Sequence, residues 1–243
     1  MKNQILIIIF FGILACNENK PKEKMVTIIE PLEKTQVKKV DSLFKTELVS
    51  LLNESYEKRS FDSLNQFFDK WKLESEKIKP KINDSLTSNL YQIFNEIYHP
   101  YELEKYGWTK REHFKKYKYV IPTSSLPYIF GTRIDTLKEF FPKNNFSNAS
   151  ILNSIPEFEN ALTDFLSKDK FEHEDFLREI LLMPVTYQKA DFRTSPEINF
   201  IIINQEMNKA KAEIRLLSTG LELNLSKTNG KWKIEKIIDL WIE

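Results

Sequence analysis

The residues most able to do chemistry in this 243-residue chain crowd into one stretch, 98 to 130. It holds Tyr98, His99, Tyr101, Tyr106, Trp108, His113, Phe114, Tyr117, Tyr119, Tyr128 and Phe130, with Arg111 and Lys110, Lys115, Lys116 and Lys118 among them. Amphipathic rings next to cationic groups suit recognition of a glycan, an anionic lipid or a protein partner, because rings supply contact area while hydroxyls and guanidinium fix orientation. The same residues admit a plainer use, in which tyrosine hydroxyls pin an irregular segment to the core and the lysines form a solvated face. An enzymatic alternative draws on His99 and His113 with acids such as Glu102 or Glu112, as in a hydrolase working in a pocket under a sheet. One further cluster, Glu172-His173-Glu174-Asp175, reads as acidic residues favouring a helix start, since neighbours along a helix point in different directions and do not grip one ion together.

Motifs with mechanical spacing are missing. The five glycines are too scattered for a phosphate loop or a dinucleotide turn, and neither Gly-x-Ser-x-Gly nor His-Glu-x-x-His occurs. No cofactor or metal is therefore expected. Lys and Arg number 36 against 35 Asp and Glu, a net charge of +1, which argues against a dedicated nucleic-acid binder.

The start of the chain carries the most specific signal. Lys2 precedes Ile5 to Ala15, an apolar run of 11 residues that ends at Cys16, the sole cysteine, and polar Asn17-Glu18-Asn19-Lys20 follows. A helix needs about 20 apolar residues to span a bilayer, so this run has the length of a signal-peptide core. Ile13-Leu14-Ala15-Cys16 resembles the lipobox of bacterial lipoproteins, with Ile13 and Leu14 standing where Leu and a smaller residue are commoner. The resemblance implies that Cys16 receives a diacylglyceryl group, becomes the new N-terminus and holds the protein on membrane lipid. It also accounts for a lone thiol in an oxidising compartment. Asn17, in place of the aspartate that marks inner-membrane retention in some families, favours the outer membrane, with the folded body in the periplasm or on the surface.

Three parts follow: a removed signal over 1–15, a flexible tether over 16–35 with Pro21 and Pro31, and a single domain over 36–243. Apolar residues at three- and four-residue steps predict helices over 37–56, 61–78 with Ser60 as cap, and 85–98 after Asp84. The spacing predicts a short helix at Thr109–Glu112, strands over 117–121 and 126–134, a helix opened by a capping box at Ser154-Ile155-Pro156-Glu157, and another over 172–182. Thereafter the period falls to two. Glu197 to Asn204 and Lys209 to Leu217 read as strands, with Ser218-Thr219-Gly220 as a turn or bulge, and Asn229-Gly230 demands a primed two-residue turn. Pairing Thr228 with Lys231 sets Leu225 opposite Ile234, Leu223 opposite Lys236 and Leu221 opposite Ile238. Leu221, Leu223, Leu225, Trp232, Ile234, Ile238, Leu240 and Ile242 then share one face.

The expected architecture is α+β, with N-terminal and central helices packed on a C-terminal antiparallel meander. The closing hairpin, Gly230-Lys231-Trp232-Lys233-Ile234, is similar to that of NTF2-like cone-shaped domains, which implies a concave sheet with a pocket under the helices. The functional expectation is a lipid-anchored envelope module that binds a protein, small-molecule or glycan partner without catalysis. The lipid-anchored hydrolase stands as its alternative.

Overall fold

A computed structural model describes residues 32–107, 117–143, 146, 149–181, 193–216 and 218–242, without the side chains of 32–43, 170 and 242. The chain is α+β. Five helices, α1 (Leu32–Glu57), α2 (Phe61–Lys77), α3 (Ser85–Ile97), α4 (Pro156–Lys168) and α5 (Lys170–Leu177), accompany eight strands. These are β1 (Tyr119–Val120), β2 (Leu126–Phe130), β3 (Arg133–Leu137), β4 (Ser150–Ile151), β5 (Glu197–Ile203), β6 (Lys209–Leu216), β7 (Thr219–Thr228) and β8 (Lys231–Ile242). Cys16 lies outside the described residues, and α1 begins inside the segment read as a tether.

Local chemistry sets most helix starts. Ser60 accepts from the Ser63 amide at the head of α2, and Asp84 accepts from the Thr87 amide at the head of α3. The capping box expected at Ser154 is not formed: Ile155 is the cap residue without a side-chain hydrogen bond, and Pro156 at the first position supplies the fixed φ instead. The helix expected over 172–182 starts earlier and stops sooner. Asp169 caps it through the Glu172 amide, and beyond Leu177 the chain turns, so that Leu181 bridges to Tyr119.

A six-stranded sheet runs in the order β3-β2-β5-β6-β7-β8, and a parallel two-stranded ladder joins β1 to β4. The four C-terminal strands form the predicted antiparallel meander, but β2 adds to β5 in parallel. The stretch expected as one strand over 126–134 is a hairpin, broken where Gly131 takes φ +60°. At the last turn Asn229 and Gly230 have φ 52° and 77°, as a primed turn requires, and Thr228 pairs with Lys231 and Leu225 with Ile234. Beyond Leu225 the predicted register fails. A bulge between Asn224 and Leu225 moves Leu223 onto Ile237 and Leu221 onto Asp239, and a second brings Gly220 onto Trp241, so Ile237 packs on the core and Leu240 stays exposed.

The helices divide between two cores. Leu90, Ile93, Phe94 and Ile97 of α3 cover the inner sheet face, built from Ile201, Ile203, Ala212, Ile214, Leu221 and Leu223. Asn89 locks that contact: its Oδ1 accepts from Trp232 Nε1 at 2.9 Å and from Lys227 Nζ at 2.8 Å. The space under the sheet, where the cone resemblance implies a pocket, is occupied by these side chains. The other four helices make a separate core around Leu48, Leu52, Phe67, Phe68, Trp71, Phe158 and Phe165. The β1–β4 ladder lies between the two cores, with Tyr119 in the helical one and Val120 in a small cluster with Ala149 and Ile151.

Candidate functional site

The tyrosine-rich stretch is mostly interior. Tyr98 is 2 % exposed, stacks on Phe94 and donates to the Thr194 carbonyl at 3.2 Å. Tyr106, buried under the short 3-10 turn at Leu103–Tyr106, donates to the Ile97 carbonyl and accepts from the His99 amide at 2.9 Å. Tyr101 donates to the Tyr117 carbonyl at 3.2 Å, and Tyr119 donates to Asp69 at 2.8 Å. Burial pushes all four hydroxyls above the usual phenol range. Each tyrosine thus fastens backbone or a neighbouring helix, which is the plainer of the two uses; Tyr98, Tyr106 and Tyr119 present no recognition surface. Tyr117 is half-buried. Trp108, Arg111, Glu112 and His113 lie outside the described residues.

His99 is tied to its own turn. Its Nε2 is 2.7 Å from the Glu96 carbonyl, and its Nδ1 is 3.2 Å from a Glu102 carboxylate oxygen that Lys105 also holds at 2.8 Å. Burial, and after it the Lys105 ammonium, hold this imidazole below its ordinary pKa. A histidine and a carboxylate do meet here, yet His99 is in the wall of none of the clefts described below. His173 is 5 % exposed, stacked on Phe165 with centroids 4.0 Å apart, and its Nδ1 is 2.6 Å from the Phe165 carbonyl. Its acidic neighbours disperse: Glu172 accepts from Tyr56, while Glu174 and Asp175 both hold Arg178. Among the described residues no group of three or more His, Cys, Asp or Glu is placed to hold a metal ion.

Among the described residues three clefts compete as a binding place. A shallow groove of about 450 Å³ runs along α1, but Lys45 there pairs with Asp164 and Glu54 with Lys58. A second, of about 270 Å³, lies beside the cis Ser195-Pro196 bond, and its Arg193 is committed to the Pro122 carbonyl at 3.0 Å. The third, of about 280 Å³, opens between the end of α2, the segment at Phe141–Lys143 and β4.

Asn153 anchors this third cleft. Trp71 Nε1 donates to its carbonyl at 2.7 Å, and its own amide donates to Ser75 Oγ at 3.0 Å, so α2 grips the residue by both peptide groups. Its side chain does something else. Asn153 is 7 % exposed and its Oδ1 is buried without a hydrogen-bond partner among the described residues, a state that costs about 1–3 kcal/mol if no donor arrives. Around it stand Lys72, Glu76 and Lys143, none of which has an ion-pair partner among the described residues. The opposite wall is equally fixed, since the Phe141 amide donates to Tyr91 Oη at 3.1 Å and the Tyr91 ring packs on Phe140.

None of these cleft residues was legible in the sequence. They come from three separated segments, 72–78, 141–143 and 150–153, and no spacing within any one of them carries a chemical signature. The only local hint is a polar residue, Asn153, directly after fully buried Leu152. The chain matches no family model, no curated protein and no solved structure.

Proposed function

We propose that this chain is a lipid-anchored envelope protein whose folded domain binds, without catalysing a reaction, a small ligand or partner group in the cleft at Asn153. The observation that carries the reading is the place of the sole cysteine, directly behind an 11-residue apolar run and ahead of polar sequence. Acyl chains on that sulfur, at about 0.8 kcal/mol per buried methylene, give lasting attachment once two or more are present. Among the described residues no helix is long and apolar enough to cross a membrane.

The test is expression of the full chain in a lipoprotein-processing bacterium, with fractionation and mass spectrometry of the mature N-terminus. The expected product starts at Cys16, carries diacylglyceryl mass and leaves the membrane fraction only with detergent; Cys16→Ser abolishes the acyl mass. An acyl-free product cut elsewhere, or one extracted by buffer alone, refutes the anchor. The hydrolase alternative keeps one supporting contact, that of His99 with Glu102. It is set back by the engagement of the other ring nitrogen with Glu96.

A further inference from the structure

Within the reading just given, the lining of the Asn153 cleft specifies a ligand class. We propose that it takes a monosaccharide-sized sugar acid, a ring bearing both a carboxylate and hydroxyls, either free or as the end residue of a glycan.

Each part of the cleft asks for a different piece of that molecule. Asn153 Oδ1 is enclosed and has no donor among the described residues; a small turn of its amide toward the cleft lets a ligand hydroxyl supply one. Lys72, half-buried, and Lys143, exposed, stand in the same lining with no ion-pair partner among the described residues, and a carboxylate answers two ammonium groups better than a neutral ring does. Glu76 beside them accepts from a second hydroxyl and disfavours a ligand that is anionic all round, such as a phosphate. Phe141 and Ile151 give an apolar wall suited to the C–H face of a sugar ring. A volume of about 280 Å³ lies just below the range of roughly 300–1,000 Å³ typical of drug-sized ligands.

The cleft is also built in advance. Trp71 and Ser75 hold the Asn153 peptide groups and Tyr91 holds Phe141, so little ordering has to accompany binding.

Titration calorimetry of the full chain in detergent, with glucuronate, glucose, sulfate and the methyl glycoside of glucuronate as probes, tests the assignment. Glucuronate is expected to bind at least tenfold more tightly than glucose or sulfate. Equal binding of the methyl glycoside points to a glycan end, and its exclusion to a free sugar acid. Lys72→Met with Lys143→Met should remove the preference for glucuronate over glucose. Asn153→Leu keeps both main-chain bonds and should weaken glucuronate at least tenfold while raising the unfolding temperature, an increase that separates lost recognition from lost folding. No binding of glucuronate at millimolar concentration, or affinity unchanged in the folded variants, overturns the proposal. Sulfate bound as tightly as glucuronate does the same. The anchor is read by mass and the cleft by heat, so either can fail without the other.

Discussion

The two cores of this protein differ in which elements bring the aromatic rings and how those rings meet. Under the sheet, the strands contribute mostly aliphatic side chains, Ile201, Ile203, Ala212, Ile214, Leu221 and Leu223, which fill space without direction. Among the four outer helices aliphatic side chains such as Leu48, Leu52 and Leu64 enclose a run of rings that meet edge to face or stacked: Phe67 on Phe158, Trp71 on Phe158, His173 on Phe165. Several of these rings carry a polar handle. Trp71 reaches Asn153, Tyr119 reaches Asp69, and His173 reaches the Phe165 carbonyl. Aliphatic side chains hold a shape, whereas rings with N–H or O–H groups also aim the backbone around them, as Tyr98 and Tyr106 do on the sheet side. The candidate cleft takes its floor from the second kind.

The sharpest way to break that contrast is Trp71→Ala, expected to cost about 3–5 kcal/mol by equilibrium urea unfolding, against about 0.5–1.5 kcal/mol for Ile214→Val in the sheet core. Trp71→Phe isolates the directional part. It keeps the ring but leaves the Asn153 carbonyl without its donor, for about 1–3 kcal/mol, and loosens the cleft in a way that Ile214→Val should not.

Next in size is a probe of the sheet's outer side. A Cβ on Gly220 would lie 2.2 Å from Trp241 Cε2, so Gly220→Ala should displace the indole and cost about 1–3 kcal/mol. Adding Trp241→Ala should recover part of the loss in a double-mutant cycle; strictly additive effects would mean that the two positions do not press on each other.

The smallest expected effect separates the segment around His99 from both cores. Its pKa is held below 6.5 by burial and Lys105, with Glu96 and Glu102 opposing, so in the window between the folded value and 6.5 the unfolded chain binds more protons. Stability should therefore rise with pH through that window, and fall as pH drops below about 6.5. His99→Gln should flatten that part of the stability–pH curve, and an unchanged slope would place the titrating group elsewhere.

What could be seen in the sequence followed the range of the forces involved. Ser60 and Asp84 act within one helical turn, and Asn229-Gly230 acts within two residues, so these features matched the structure closely. The register beyond Leu225 did not, because a bulge answers to how the whole sheet packs, and one inserted residue exchanges Ile237 for Ile238 on the buried face. Parallel addition of β2 to β5, across a long connection, leaves no local trace at all. The cluster of tyrosines was visible, but whether a hydroxyl meets water or a carbonyl is decided by distant segments such as Thr194. Asn153 and Lys72 were hidden for a related reason: the cleft exists only where three parts of the chain meet.

One consequence follows from the outermost strand. β8 runs for 12 residues along the rim of the sheet, yet two bulges interrupt it and Lys231, Lys233 and Lys236 are exposed along it. Under the lipid anchor proposed above, molecules on a common membrane would diffuse in two dimensions at high local density, where an unbroken rim would let one copy zip onto the next and grow a filament. A rim kinked twice and studded with ammonium groups denies each neighbour a matching row of amides and carbonyls, and so favours copies that crowd together and still remain separate.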